Sequence, residues 1–132
     1  MTSPGGSPAP ARPQTAPARV VAVVSDLFFV ARIRETARLA GVPLVFARSV
    51  GEIDAALAEG GARFVLLDLT GAFDYTAVFA ALERAAPPPP VLGYTTHALA
   101  RQTQPWHARC ARVVTKETLT QELPTLLQEG LR

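Results

Sequence analysis

The stretch that decides the fold is Phe64–Thr70, which reads FVLLDLT. Four large apolar residues followed by a carboxylate are typical of a strand that is buried on both faces of a parallel sheet. The acid is Asp68, and it comes where the apolar run gives way to Thr70 and Gly71. In open α/β sheets, ligands bind beyond the carboxyl ends of the strands. The segment therefore predicts a parallel sheet with a chemical group at this strand's carboxyl end.

Four other segments have the same short apolar character. The predicted strands are Val20–Val24, Leu44–Ala47, Phe64–Leu69, Val91–Thr95 and Arg112–Val114. Each is followed by a segment whose apolar residues recur at helical spacing. Strand–helix units in this order imply right-handed crossovers. We expect a doubly wound α/β fold with a five-stranded parallel sheet and five helices.

The predicted helices carry local start and stop signals. Gly41 ends the first helix, and Ser49 with Glu52 forms a capping box that opens the second. Two prolines interrupt later helices. Pro105 predicts a shortened or bent fourth helix, and Pro124 predicts a kink or a delayed start in the last one.

Length and composition indicate one small domain. The chain has 132 residues, of which 48% are hydrophobic, and this suits a single core. Residues 1–18 are rich in proline and alanine and lack large apolar side chains, so we expect a disordered tail before a domain at 19–132. The longest apolar runs are far shorter than the roughly 20 residues of a membrane helix, which excludes that class.

Charge and cysteine content bear on the class of partner and on the cellular compartment. The formal net charge of +2 is too small to indicate a nucleic-acid partner. Cys110 is the one cysteine, so an internal disulfide is excluded and a cytoplasmic location is expected.

Polar residues follow four of the predicted strands. Asp26 comes after the first strand, Asp68 ends the third, Thr95 ends the fourth and Lys116 follows the fifth. The carboxyl ends of parallel strands meet at one edge of a sheet, so we expect these four side chains to converge. Lys116 is informative because it is the chain's single lysine among 13 basic residues. A compact ammonium suits a tight anionic site better than a guanidinium does.

This set resembles the site of response-regulator receiver domains of two-component signalling, in a divergent or pseudo-receiver form. The resemblance covers nearly all of residues 19–132 and implies a flavodoxin-like fold with the strand order 2-1-3-4-5. It implies that Asp68 accepts a phosphoryl group and that Asp26 and Asp68 hold Mg²⁺. It also implies that the Thr95 hydroxyl senses the phosphoryl group and that Lys116 neutralises its charge. A divalent ion and an ammonium are what a carboxylate attacking phosphorus needs.

The chain departs from the family pattern at several positions. Ser25 replaces the second acid after the first strand, which weakens the Mg²⁺ site. Thr96 is larger than the small residue that usually follows the sensing hydroxyl. Val113 replaces the aromatic residue often found on the fifth strand. These departures favour a degenerate receiver that works independently of phosphorylation, or in which phosphorylation is coupled differently.

Simpler interpretations exist for each residue. Asp68 and Lys116 could form a structural ion pair, Lys116 could be a surface residue, and Asp26 could cap the first helix. Trp106, with Arg101 and Arg112 near it in sequence, could form a partner surface rich in Trp and Arg. Alternatively, Trp106 covers the edge of the core.

We therefore expect a stand-alone, divergent receiver-like domain of bacterial type, not an enzyme. It would act in phosphorelay signalling through contacts with a sensor kinase or an output protein. Phosphorylation of Asp68 is a candidate switch, alongside a form that works independently of phosphorylation. Nucleic acid and membrane are not expected partners, and a homodimer stays open. The alternative is a small phosphatase or phosphotransfer protein with an aspartyl-phosphate at Asp68. A nucleotide- or flavin-binding domain of similar topology is a third hypothesis.

Overall fold

The computed structural model describes residues 19–131, and the tail predicted at 1–18 lies outside this range. Its five strands are all parallel and form one sheet in the order β2-β1-β3-β4-β5. They are β1 (Val20–Val23), β2 (Leu44–Phe46), β3 (Phe64–Asp68), β4 (Val91–Thr95) and β5 (Arg112–Thr115). The predicted fold class and strand order are confirmed.

Five α-helices connect and cover the strands. They are α1 (Leu27–Ala40), α2 (Val50–Ala58), α3 (Tyr75–Arg84), α4 (Ala100–His107) and α5 (Lys116–Glu129). A 3₁₀ turn at His97–Leu99 precedes α4. Strand β4 has its predicted bounds, and β5 continues one residue further, to Thr115, which pairs with Thr95. Strands β1, β2 and β3 end one residue before their predicted bounds, because their apolar runs continue past the last residue that a neighbouring strand pairs. Val23 pairs with Leu67, for example, and β1 ends there.

The core lies on both faces of the sheet. On one face, α1 and α5 pack over Ala22 and Leu66, and on the other α2, α3 and Trp106 pack over Val23 and Leu67. Strands β1, β3 and β4 are buried along their whole length, which is why their sequences are apolar at nearly every position.

The helix ends follow the predicted chemistry. Gly41 closes α1 in the left-handed conformation, with φ of 71°, which a residue without Cβ adopts freely. The Ser49 hydroxyl accepts a hydrogen bond from the Glu52 N–H at 3.1 Å. The Glu52 carboxylate reaches back to the N–H of Arg48, one residue before the helix cap. The predicted capping box is therefore formed, with its second bond displaced by one residue.

The delayed start predicted for the last helix is wrong. Helix α5 begins at Lys116 and continues through Pro124 to Glu129. Four leucines of this helix are buried, and their burial outweighs the loss of one main-chain hydrogen bond at the proline. Helix α4 also contains its proline, Pro105, and is only eight residues long, as the sequence predicted.

The topology brings four chain segments to one edge of the sheet. The carboxyl ends of β1, β3, β4 and β5 all lie there, together with the first turns of α1 and α5. Among the helices of residues 19–131, none has both the length and the apolar character needed to cross a membrane.

Candidate functional site

Asp26 follows β1 and caps helix α1. Its Oδ1 atom accepts hydrogen bonds from the N–H groups of Phe28 (2.9 Å) and Phe29 (3.1 Å), so the N-cap interpretation is confirmed. Its Oδ2 atom accepts a hydrogen bond from the Lys116 Nζ at 3.1 Å. The N–H of Phe29 and the ammonium of Lys116 together lower the pKa of the Asp26 carboxyl. Asp26 is therefore a carboxylate held by both helices at the sheet edge.

Asp68 ends β3 and is only 3% exposed. Its Oδ1 atom accepts hydrogen bonds from the N–H (2.8 Å) and the hydroxyl (2.7 Å) of Thr70. This is the local turn that Asp commonly makes with the residue two positions later. The hydroxyl of Tyr75 donates to the main-chain oxygen of Asp68 at 2.5 Å. The chain therefore holds the carboxylate rigidly from its own β3–α3 connection.

The ion pair expected between Asp68 and Lys116 is not the one that forms. Lys116 is the first residue of α5, and α5 packs beside α1, so its ammonium reaches the cap of α1 instead. The ammonium also lies 4.8 Å from the ring centroid of Phe29, a cation–π contact. The Lys116 side chain is 38% exposed, so it is neither a free surface residue nor a buried one.

Thr95 ends β4 and is linked to helix α4 by buried hydroxyls. Its Oγ1 accepts a hydrogen bond from the Thr103 Oγ1 at 3.0 Å, and Thr103 is itself 5% exposed. The Thr103 Oγ1 is also 2.8 Å from the Nε2 atom of His107, one turn further along α4. The result is a continuous polar chain from the site edge to the partly exposed His107. We call Thr95, Thr103 and His107 the hydroxyl relay.

The sequence prediction identified Thr95 but not its partners in the relay. Thr103 and His107 are four residues apart, a spacing that places both on one face of a helix. A polar pair on the inward face of an amphipathic helix is the signal that could have found them. Tyr94 was also missed, although it pairs in register with Asp68 on the neighbouring strand.

Ser25, which stands where a second acid was expected, is exposed and lies close to the β3–α3 connection. A Cβ added at Gly71 would lie 3.0 Å from the Ser25 hydroxyl oxygen and 3.0 Å from the ring of Phe73. The glycine is therefore required for the close approach of these two loops. Within residues 19–131, no three His, Cys, Asp or Glu side chains are grouped so as to hold a metal ion.

The residues of the predicted partner surface do not form one patch. Trp106 stacks on Phe79, with ring centroids 5.8 Å apart, and lies at the edge of the core. Arg112 lies on the opposite face of the sheet, where it pairs with Glu122 of α5 at 2.8 Å. Arg101 is exposed on α4. These three predicted residues thus belong to different surfaces.

A cavity of about 600 Å³ opens beside the site, between the first turns of α1 and α5. It is lined by Phe28, Phe29, Arg32, Thr96, Lys116, Glu117 and Thr120. Phe28 is 91% exposed although it is large and apolar. The cavity wall therefore carries exposed apolar surface, two cations and the acid Glu117.

The strand order and the helices that flank the sheet are those of the receiver-domain fold of response regulators. No protein-family model matches the chain, and no curated protein sequence is detectably similar to it. Solved receiver structures do match its fold.

Three of these structures illustrate the match. The receiver domain of the sensor histidine kinase PA1611 from Pseudomonas aeruginosa PAO1 is 16% identical, with a TM-score of 0.68 over 87% of this chain and 98% of that one. The chemotaxis response regulator CheY4 of Vibrio cholerae is 20% identical, with a TM-score of 0.68 over 88% and 100%. A response-regulator receiver domain from Bermanella marisrubri is 17% identical, with a TM-score of 0.71 over 89% and 100%. The PA1611 structure contains a magnesium ion coordinated in its active site cleft.

Proposed function

We propose that the chain is a divergent receiver domain that acts in two-component-type signalling through protein contacts, with Asp68 as its phosphoryl acceptor. The observation that carries the proposal is the placement of Asp68 at the carboxyl end of β3, with Asp26, Thr95 and Lys116 at the ends of neighbouring chain segments. We place the domain in the cytoplasm, since its one cysteine forms no disulfide within residues 19–131.

The geometry of Asp68 suits a nucleophilic carboxylate. Thr70 engages only Oδ1, so Oδ2 is the oxygen that would attack phosphorus. The new Oδ2–P bond forms as the bond between phosphorus and the donor's leaving group breaks, and that group departs with the electron pair. Lys116 is the nearby cation, and its release from Asp26 would allow it to offset the charge of the phosphoryl oxygens.

Asp26 and Asp68 would hold magnesium in this function. Mg²⁺ commonly binds through one or two carboxylates together with phosphate oxygens and water, so a pair of acids fits it. When bound, the ion supplies a positive charge that stabilises the transferring phosphoryl group. Lys116 already occupies Oδ2 of Asp26, and Ser25 contributes no charge, so we expect weak binding.

The hydroxyl relay supports a readout through α4. Val113 on β5 packs in the core where an aromatic side chain would otherwise couple to the site, so the usual route is missing. The Thr95 hydroxyl is instead bonded to Thr103 on α4. A phosphoryl group that attracts the Thr95 hydroxyl would therefore change the hydrogen bonding of His107 as well. A protein partner, either a sensor kinase or an output protein, would read α4 or the cavity beside Phe28.

Intact-mass spectrometry after incubation with Mg²⁺ and acetyl phosphate tests the proposal. We expect an adduct of about 80 Da that is absent from Asp68→Ala. Asp74→Ala is the matched control, because Asp74 caps α3 in the connection that follows Asp68 and should leave the adduct in place. Continuous phosphate release would indicate the alternative, a small phosphatase or phosphotransfer protein. The absence of an adduct and of beryllofluoride binding would refute phosphorylation at Asp68.

A further inference from the structure

The hydroxyl of Tyr94 is buried beside the Asp68 cleft without a hydrogen-bond partner among residues 19–131. Tyr94 is 1% exposed and pairs in register with Asp68 across β3 and β4. In-register neighbours on adjacent strands project from the same face of the sheet. A buried hydroxyl that lacks an acceptor is costly, and most such groups in native proteins do find one. Tyr94 therefore needs a physical explanation.

The surroundings of the Tyr94 ring keep its hydroxyl inside the cleft. Phe29 contacts the ring edge-on, with centroids 5.2 Å apart, and the ammonium of Lys116 lies over Phe29. Burial raises the pKa of the Tyr94 phenol, and so do the negative charges of Asp68 and Asp26. Asp68 therefore lies across the strand pair from a phenol that is buried away from water.

The hydrogen bonds around Asp68 leave room for one more donor. Thr70 supplies both donors that reach its Oδ1 atom. Lys116, the nearest cation of the site, donates to Asp26 instead. Asp68 is 3% exposed, and its Oδ2 atom receives none of these hydrogen bonds.

We propose that the Tyr94 hydroxyl donates a hydrogen bond to the Asp68 carboxylate and positions its reactive oxygen. This bond would give the buried Tyr94 hydroxyl the acceptor that it lacks and would give Asp68 a donor from outside its own turn. Tyr94 thus performs the orienting task that Lys116 does not perform while it pairs with Asp26. It is a positioning residue and has no covalent role. Its effect on a phosphoryl group, or on beryllofluoride, bound at Asp68 rests on the proposed function.

A double-mutant cycle of Tyr94→Phe and Asp68→Ala, read by thermal unfolding of the full chain, tests the hydrogen bond without any ligand. In the wild-type background, we expect Tyr94→Phe to lower the melting temperature by about 6–12 °C, as loss of one hydrogen bond to a charged group does. In the Asp68→Ala background, the same change should not lower it, since the acceptor is gone. The ring stays in place in both proteins, so packing is preserved.

Tyr75→Phe is the matched control. Its hydroxyl donates to the main-chain oxygen of Asp68, so its removal should have the same effect with or without the Asp68 side chain. Equal effects of Tyr94→Phe in the two backgrounds would overturn the proposal, because the hydroxyl would then be unpaired in solution too.

Beryllofluoride affinity gives a second readout that a purely structural role would not move. We expect Tyr94→Phe to weaken binding about fivefold or more. A coupled cycle with unchanged affinity would overturn the positioning role. If the wild-type protein binds no beryllofluoride, the proposed function fails, and the stability cycle by itself decides whether Tyr94 holds Asp68. The beryllofluoride measurement compares only the wild type with Tyr94→Phe, so it can be made even if Asp68→Ala does not fold.

Discussion

Replacement of Thr103 by valine tests the hydroxyl relay most directly. Valine has the shape of threonine and a similar helix propensity, so packing and helix stability change little. What changes is hydrogen bonding. The substitution removes the 3.0 Å bond to the Thr95 hydroxyl and the 2.8 Å contact with the His107 ring. Thr95 then keeps only a long 3.5 Å contact, to the main-chain oxygen of Thr96.

The expected cost follows from burial. Thr95 is 4% exposed, so its hydroxyl cannot recover the lost bond from water. An unsatisfied buried hydroxyl costs about 1–3 kcal/mol, and the lost contact with the partly exposed His107 adds less than one net hydrogen bond. We therefore expect a loss of about 2 kcal/mol in the free energy of unfolding, or a melting temperature lower by about 8–10 °C.

Urea and thermal denaturation measure this loss. An unchanged slope of the unfolding free energy against urea concentration would show that the fold is intact. Thr103→Ser keeps the hydroxyl and should lie close to wild type apart from the lost methyl group. Thr125→Val, at an exposed position of α5, is the control for a threonine that serves no buried bond. A Thr103→Val protein as stable as Thr125→Val would refute the relay.

The same variant has a functional readout. Trp106 is the single tryptophan and lies on α4 between Thr103 and His107 in sequence. Beryllofluoride should alter its fluorescence in the wild-type protein, and this change should be lost in Thr103→Val. A fluorescence response that survives the substitution would show that α4 receives the signal by another route.

Three further outcomes are expected. The pKa of Asp26 is lowered in the folded protein, so its contribution to stability is present above about pH 4 and is lost as the pH falls through the folded-state pKa. The melting temperature of Asp26→Asn should therefore depend less on pH than that of the wild type between roughly pH 5 and pH 2.5. Parallel profiles of melting temperature against pH would contradict this. Gly93→Ala should cost about 1–3 kcal/mol in urea denaturation, because its Cβ would lie 2.9 Å from both the Cys110 sulfur and a Leu69 methyl. Gly51→Ala in helix α2 should gain about 0.5–1 kcal/mol, because its Cβ would make only an ordinary contact, 3.9 Å from the Ser49 hydroxyl. Burial raises the pKa of the Cys110 thiol to about 11, so at pH 8 iodoacetamide should label the folded protein about 100-fold more slowly than the protein unfolded in urea. Mass spectrometry follows the labelling, and equal rates in the two states would show that the thiol is open to solvent.

The fold was predictable because its signals are local. Segments such as Phe64–Asp68 are apolar on both faces, and only strands covered by helices on both sides need that pattern. Right-handed crossovers, which chain chirality imposes, restrict the possible strand orders, and the resemblance to receiver domains then selected 2-1-3-4-5. Boundaries were less predictable, since strand ends depend on the neighbour that supplies hydrogen bonds. The delayed start predicted from Pro124 was wrong for a related reason. The proline's local cost to the helix is outweighed by the leucines of α5 that are buried against α1.

The candidate site also has one part that the sequence predicted and one part that it did not. The sequence by itself determined which groups reach the sheet edge, because Asp26, Asp68, Thr95 and Lys116 follow from the repeat of strand and helix. Only the tertiary structure decided how they pair. Helix α5 packs beside α1 and so brings Lys116 to Asp26, while Asp68 is held by its own turn and lies beside the Tyr94 phenol. Pairing depends on side-chain directions and distances of an ångström or two, and residue spacing along the chain does not encode these.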